Sequence, residues 1–451
     1  MTLPLPTTNT PDRPSESEQE RTGLGNYFIA NYPPFSFWKH EGLPDAMAVL
    51  NTQPNVQVKL GLYLHIPFCR KRCKFCYFRV YTDKNARDVE TYLQALLKEL
   101  ELYRRYPLIA QRPLDFVYFG GGTPSYLSAN QLTELFNGIR QRMRWDQPRE
   151  VTFEAEPGTV QREKLEVLQS LGVTRLSLGV ENFNDQILEN NGRAHRSPEI
   201  YRVYQWAREI GFPQINIDLI AGMVGETWEN WRECIQKTAE LKPDSITIYQ
   251  MELPFNTVYS KEMLQSGQGT HAGIASWPTK RDWVSYAFDT LLPLGYEISS
   301  GYTLVRKDAQ AKFVYRDELW HGADLLGTGV ASFGHLHGIH VQNVDQWDEY
   351  LNRLNHGQLP LNRAFKLDAD DALIREMILQ LKTGWLDLNY FQNKYQTAVL
   401  NRYQRVWSGL QDDQLLEIKP KEIRLTRQGL MQVDRLLPRF FAEKYQTTRY
   451  T

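Results

Sequence analysis

GLYLHIPFCRKRCKFCYF, residues 61–78, joins an apolar strand pattern, GLYLHI, to a loop that carries three of the chain's four cysteines, Cys69, Cys73 and Cys76. Thiolates spaced four and then three residues apart can wrap one [4Fe–4S] cluster and leave its fourth iron without a protein ligand. The reagent such an open iron takes is S-adenosylmethionine, which yields a carbon radical when an electron from the cluster cleaves its sulfonium. Other readings of the loop are weaker. A zinc knuckle draws four ligands from paired short spacings, and no second CxxC or HxxxH follows. Clustered rather than dispersed cysteines suit a reducing compartment better than a disulfide framework. Cys234, alone in the helical pattern WRECIQKTAEL, reads as a buried inert thiol.

Downstream of this loop the pattern alternates apolar strand with amphipathic helix. Six strand candidates stand out: GLYLHI, LDFVYFG, EVTFEAE, RLSLGV, INIDLI and SITIYQ. Patterns such as VETYLQALLKELELYRR and WENWRECIQKTAEL lie between them. That order predicts a parallel α/β architecture, a partial (β/α)6 barrel. Six units are too few to close an eight-stranded barrel, and no GxGxxG follows the first strand to favour a dinucleotide fold. The polar residues gather at the carboxyl ends of the strands, where a parallel barrel opens its site. The cysteine loop follows the first strand, Gly120 to Thr123 the second, Glu154 and Glu156 the third and Glu181 the fourth; Asp218 lies on the fifth, and Gln250 and Glu252 end the sixth.

Each of these residues also has a plain structural reading. GGGTP, residues 120–124, is a tight turn if taken alone; one βα unit after the cysteine loop it becomes a backbone surface for the methionine part of a cofactor. Glu154, Glu181 and Asp218 are solvated rim acids or recognise a ribose and a sulfonium. Arg193, in NNGRAHR, offers a planar fork for a carboxylate. Tyr63 can hydrogen-bond into the pocket, and His65 serves to fix the loop rather than to move a proton. GHLHGIH brings His335, His337 and His340 together, either as metal or haem ligands or as alternating polar positions on a small strand.

Composition sets the remaining bounds. The 451 residues exceed a single core, and 52 basic against 53 acidic side chains leave no field to recruit nucleic acid or an anionic membrane. No apolar run is long enough to span a bilayer, and the start lacks the apolar centre of a signal peptide, so the expected location is cytoplasmic. The 11 Trp, 24 Tyr and 20 Phe suit a large flat ligand and equally a packed core. The expected organisation is a disordered tail over 1–23, an aromatic arm over 24–58, the barrel over 59–270, an extension of short strands over 271–362 and a winged-helix-like module over 363–451. Within the arm, the stretch from Tyr27 to Trp38 is too aromatic for water and is expected to pack along the outside or across the mouth of the barrel. The last module carries no concentrated basic face, so a packing or covering role is expected of it rather than DNA binding.

With the CxxxCxxC loop, GGGTP, FEAEPGT and NIDLIAG in this order, the chain resembles the radical S-adenosylmethionine superfamily. More narrowly it resembles the oxygen-independent coproporphyrinogen oxidase-like family, which also holds haem chaperones and radical methyltransferases. The resemblance runs from about Gly61 to the C-terminus. It implies that Cys69, Cys73 and Cys76 hold the cluster. It places Tyr63, Gly121, Gly122, Thr123, Glu154, Glu181, Arg193 and Asp218 around one or two molecules of S-adenosylmethionine. The implied activity is radical modification of a tetrapyrrole or similar large substrate by a monomer that takes electrons from a flavodoxin or ferredoxin. Methyl transfer from a second cofactor molecule and non-catalytic haem carriage, with His335 or His337 on the iron, are the alternatives. Three departures from the family pattern matter. Glu181 stands where relatives carry Gln, and Phe78 where the porphyrin-oxidising enzymes carry a further cysteine. The run YRDELWHGAD replaces the HNxxYW of the chaperone branch.

Overall fold

The computed structural model describes residues 28–446 apart from 253, 255, 256 and 266–273. The expected tail over 1–23, and Tyr27 of the arm, lie outside the described residues.

All six strand candidates form strands: β1 (Leu60–Ile66), β2 (Leu114–Gly121), β3 (Glu150–Ala155), β4 (Arg175–Glu181), β5 (Gln214–Ala221) and β6 (Ser245–Gln250). They pair in parallel in sequence order, from β1 beside β2 to β5 beside β6. Helices such as Ala86–Tyr103, Ala129–Arg142 and Trp228–Leu241 make the crossovers. Their starts are written in the sequence. Asn85 and Asp88 close a capping box on the first, and Ser128 with Gln131 on the second.

The sheet is larger than six strands. β7 (Tyr296–Ile298) and β8 (Thr303–Arg306) add to the β6 edge in antiparallel fashion. At the other edge β9 (Asp324–Thr328) lies parallel to β1 and makes a seventh parallel strand. β10 (Phe333–Leu336), β11 (Ile339–Asn343) and β12 (Leu361–Lys366) continue beyond it in antiparallel order, giving 12 strands in all. The DLLGT segment joins β1 because its five residues are all buried, as a central strand requires. Outward-facing Leu62, Phe119, Phe153, Leu178 and Ile217 pack with the crossover helices in one large apolar core.

The lower end of the barrel is plugged from outside. Val314 and Tyr315 donate their backbone N–H groups to the Glu150 carboxylate at the start of β3, which carries the rings of Phe313 and Tyr315 inside toward Tyr118.

The aromatic arm follows its prolines as far as Pro34 and makes 3-10 turns at Phe35–Phe37 and His40–Gly42, but it also contains a helix not expected from its composition, Leu43–Leu50. Pro44 is tolerated there because it sits in the first turn, and Ala46, Val49 and Leu50 bury one face. Ile29 and Tyr32 join the core of the C-terminal segment rather than that of the barrel. That segment comprises helix Ala369–Leu381 and a three-stranded antiparallel sheet of β13 (Trp385–Asp387), β14 (Leu416–Ile418) and β15 (Glu422–Leu425), with shorter helices between. Two features differ from the expected helix, helix, two-stranded wing and helix. A third strand pairs with the wing, and the terminal helix breaks into Arg427–Met431 and Val433–Leu436, because Gln432 leaves helical geometry between them.

Candidate functional site

The barrel interior is an open channel. On strands that are otherwise largely buried, Tyr63, Tyr118, Glu154, Gly179 and Asp218 are each partly accessible at inward positions, and Tyr249 is 42 % exposed. A closed eight-stranded barrel fills this volume with side chains. Here most of the partly accessible inward residues are aromatic or ionisable, so they can meet a ligand.

Cys69, Cys73 and Cys76 stand over the upper end of this channel as half-buried free thiols. Two donors already address their sulfurs. Thr123 Oγ1 donates to Cys69 Sγ at 3.3 Å, and Arg193 Nη1 to Cys73 Sγ at 3.3 Å. Burial pushes the Cys69 thiol up to about 11 and the Cys76 thiol up to about 12, so loading with iron must release protons. Among the described residues no three His, Cys, Asp or Glu side chains gather as ligands of a single ion. Three thiols from one short loop are the donor set that a [4Fe–4S] cluster with one open iron would take. Cys234, buried in Trp228–Leu241, belongs to the apolar core.

The glycines after β2 have no room for side chains. A Cβ on Gly121, at φ +110°, would lie 2.5 Å from His65 Nδ1, and one on Gly122 would lie 2.9 Å from the Ile66 carbonyl oxygen. Gly122 N–H donates to that same carbonyl at 2.8 Å, which locks the turn to the end of β1 and aims Thr123 at Cys69. His65 holds the other side. Its Nε2 meets Arg79 O at 3.2 Å and its Nδ1 meets Tyr63 Oη at 3.2 Å, and burial pulls its pKa down to about 4. It is a neutral clamp.

The acids occupy successive strands. Glu154 accepts from Tyr118 Oη at 2.6 Å, and burial pushes its carboxyl up to about 7 against that bond. Asp218 accepts from Ser177 Oγ at 2.8 Å and Asn216 Nδ2 at 2.9 Å; burial raises its pKa, while Arg175 and these bonds oppose the rise. Glu181 is reached through a bulge. The β4–β5 register shifts between Gly179 and Glu181, and Glu181 adopts φ +64°. Its carboxylate lies 3.6 Å from Arg193 Nη2, and burial pushes it up to about 7 with Arg193 opposing.

Several residues at the site carry no motif in the sequence. His195 is fully buried, with Nδ1 2.7 Å from Glu156 Oε1 and Nε2 3.2 Å from Val180 O. Glu156 in turn accepts from Gly158 N–H, and Arg70 donates to Gly158 O, so this pair braces the cysteine loop from the β3 side. Burial alone would raise Glu156, but His195 and Arg193 hold it below the usual range. Arg175, Tyr118 and Tyr249 face the channel because they fall on the inward alternation of their strands. A charge at the head of the apolar run RLSLGV was the available signal for Arg175.

The histidine trio does not converge. His335 and His340 are buried side by side with their Nδ1 atoms 3.0 Å apart, His340 Nε2 meets Tyr32 O at 2.9 Å, and Trp38 stacks on His340 at 4.6 Å. His337 is exposed on the hairpin turn at φ +46°. The pair anchors the aromatic arm; of the two haem-ligand candidates, His335 is enclosed against His340 and His337 is exposed.

Comparison with known proteins agrees with this geometry. The Radical SAM superfamily profile matches residues 63–238. That region is similar to the radical S-adenosylmethionine superfamily, and most of the chain is similar to coproporphyrinogen III oxidase-like proteins. The chain is 29 % identical over 393 residues to the oxygen-independent coproporphyrinogen III oxidase of Synechocystis, covering 83 % of this chain and 81 % of the relative. It is 27 % identical over 386 residues to the heme chaperone HemW of Bacillus subtilis, covering 84 % of this chain and 99 % of the relative. The solved coproporphyrinogen III oxidase (HemN) from Escherichia coli superposes with a TM-score of 0.78 at 24 % identity over 92 % of this chain and 96 % of that one, which shows a shared fold. The matched superfamily implies a [4Fe–4S] cluster and S-adenosylmethionine, and among the described residues no helix is long and apolar enough to cross a membrane.

Proposed function

We propose that this chain is a radical S-adenosylmethionine enzyme acting on a tetrapyrrole or similar large substrate. The observation that carries the reading is the pair of donors, Thr123 on Cys69 and Arg193 on Cys73, poised over an open channel lined by Glu154, Glu181 and Asp218. When bound, the cluster and S-adenosylmethionine supply a 5′-deoxyadenosyl radical that takes hydrogen from carbon.

In this reading Cys69, Cys73 and Cys76 hold the cluster, and Thr123 and Arg193 stabilise the charge on two of its sulfurs. Gly121 and Gly122 present bare backbone to the methionine part of the cofactor. Tyr63, Glu154, Glu181, Arg193 and Asp218 bind its remaining polar atoms. The channel walls exclude water from the reacting carbon, with Tyr118 and Tyr249 as flat contacts for a planar ligand. The barrel of 59–270 carries the chemistry. The extension of 271–362 closes its floor, and the winged-helix-like module of 363–451 holds the arm. A cytoplasmic monomer reduced by a flavodoxin or ferredoxin completes the reading.

Phe78 favours modification of the substrate other than porphyrin side-chain oxidation. It is 48 % exposed beside Tyr77, with the ring centroids 4.7 Å apart, and offers an apolar surface where a thiol would otherwise react. Methyl transfer through a second cofactor molecule fits this replacement.

The test is anaerobic reconstitution followed by iron and sulfide analysis and assay of 5′-deoxyadenosine under reduction. One cluster per chain and cofactor cleavage are expected. A reconstituted protein that binds haem stoichiometrically and does not cleave the cofactor would instead establish the chaperone reading.

A further inference from the structure

We propose that Arg175 forms an anion subsite at the bottom of the barrel channel, where it receives a carboxylate arm of the substrate. The inference rests on the tetrapyrrole-class reading above and adds to it the group that is recognised.

Arg175 is the first residue of β4 and is only 1 % exposed, and its Nε has no hydrogen-bond partner. Its guanidinium carbon lies 4.1 Å from the centroid of the Phe313 ring, on the segment that plugs the barrel. An aromatic partner supports the cation but leaves its N–H donors unspent. Buried donors without a partner are rare in native structures and call for a ligand or ordered water.

The neighbouring acids do not fill this role. Asp218 places one oxygen on Ser177 and the other on Asn216, and Glu154 is held by Tyr118 Oη and the Gly121 N–H. Both are near enough to feel the Arg175 charge, yet both are hydrogen-bonded elsewhere. The buried Nε–H of Arg175 is thus left without an acceptor on the inward side of β4. From it rises a column of rings, with Phe313 and Tyr315 at 6.0 Å, Tyr315 and Tyr118 at 4.4 Å, and Tyr118 and Tyr63 at 6.0 Å. A flat, apolar ligand lying against this column with a carboxylate at its foot satisfies both the aromatic wall and the guanidinium. A planar ligand without an acid would leave the cation buried and unpaired.

Coproporphyrin III and its tetramethyl ester, which differ only in their carboxylates, distinguish the cases when titrated into the full-length reconstituted protein and followed by porphyrin absorption. The wild type is expected to prefer the free acid by roughly tenfold to a hundredfold. Arg175→Gln should bring that preference to near parity while leaving ester affinity, cluster content and S-adenosylmethionine binding unchanged. Arg175→Lys, which keeps the charge without the fork, should retain part of the preference, and it decides the matter if the Gln variant does not fold. A wild type that does not discriminate, or a preference that survives both substitutions, would overturn the proposal. Loss of cofactor binding together with the preference would also overturn it, by assigning Arg175 to the cofactor site or the fold. Failure of the parent reading shows separately, as absence of 5′-deoxyadenosine from the wild type.

Discussion

Arg193 Nη1 donates to Cys73 Sγ across 3.3 Å, joining residues 120 positions apart in the chain. The same guanidinium donates from Nη2 to Gly179 O at 2.7 Å and lies 3.6 Å from Glu181. One side chain thus ties the cysteine loop after β1 to the end of β4. A buried charge held by several partners is costly to disturb, so the loop is positioned before any cluster binds.

Cys73→Ala should therefore abolish the cluster, read as loss of iron, sulfide and visible absorption after anaerobic reconstitution. Arg193→Gln should keep most of the iron but lower the reduction potential, because a hydrogen bond to a ligating sulfur is lost. Full cluster content in the alanine variant would refute the ligand assignment.

Asp218→Asn is expected to leave iron content and spectrum unchanged while raising the S-adenosylmethionine concentration needed for cleavage roughly tenfold, the effect of one weakened charge-assisted hydrogen bond. Asp218 contacts Ser177 and Asn216 and no cysteine. Iron loss in this variant would mean that the residue supports the fold instead.

Glu99 gives stability a pH dependence. It is completely buried, accepts from Tyr350 Oη at 2.7 Å, Asn343 Nδ2 at 2.7 Å and Gly329 N at 2.9 Å, and burial pushes it up to about 7 against those bonds. A raised carboxyl pKa means the native state keeps a proton that the unfolded chain has released. Stability attributable to this residue is then present below the ordinary carboxylate range and falls as pH rises toward 7. Glu99→Gln should flatten that slope, by about 1–3 kcal/mol between pH 4.5 and 7.5. Urea midpoints across this range provide the measurement, and identical slopes in both proteins would sink the argument.

Lys382 fixes the arm. Its ammonium is fully buried, donates to Ile29 O at 2.7 Å, lies 3.0 Å from Asp434 and sits 3.4 Å over the Phe28 ring. Lys382→Ala leaves the Asp434 carboxylate without its buried partner and should cost about 3–5 kcal/mol in chemical unfolding. A loss below about 1 kcal/mol would show that the arm is held by its aromatic contacts alone.

Phe78 bears on the reaction. Reduced protein incubated with coproporphyrinogen III should form little protoporphyrinogen, and haem titration should show weak binding that His335→Ala does not alter, because His335 already faces His340. Efficient oxidation, or tight stoichiometric haem binding lost on that substitution, would reject the reading.

The strand–loop unit of residues 61–78 and the six apolar runs were legible without coordinates, because strand alternation and cysteine spacing are local properties of the chain. So were the grouping of three thiols in one loop and the glycine turn, which neighbours in sequence set. Tertiary structure alone set β9 beside β1, broke the last helix at Gln432 and inserted Phe313 and Tyr315 into the barrel floor. It also separated His337 from the buried His335–His340 pair, paired His195 with Glu156, and left Arg175 Nε buried without an acceptor. These outcomes turn on which distant groups meet and which buried donors find acceptors. Such pairings depend on three-dimensional packing, and no local pattern in the sequence encodes them.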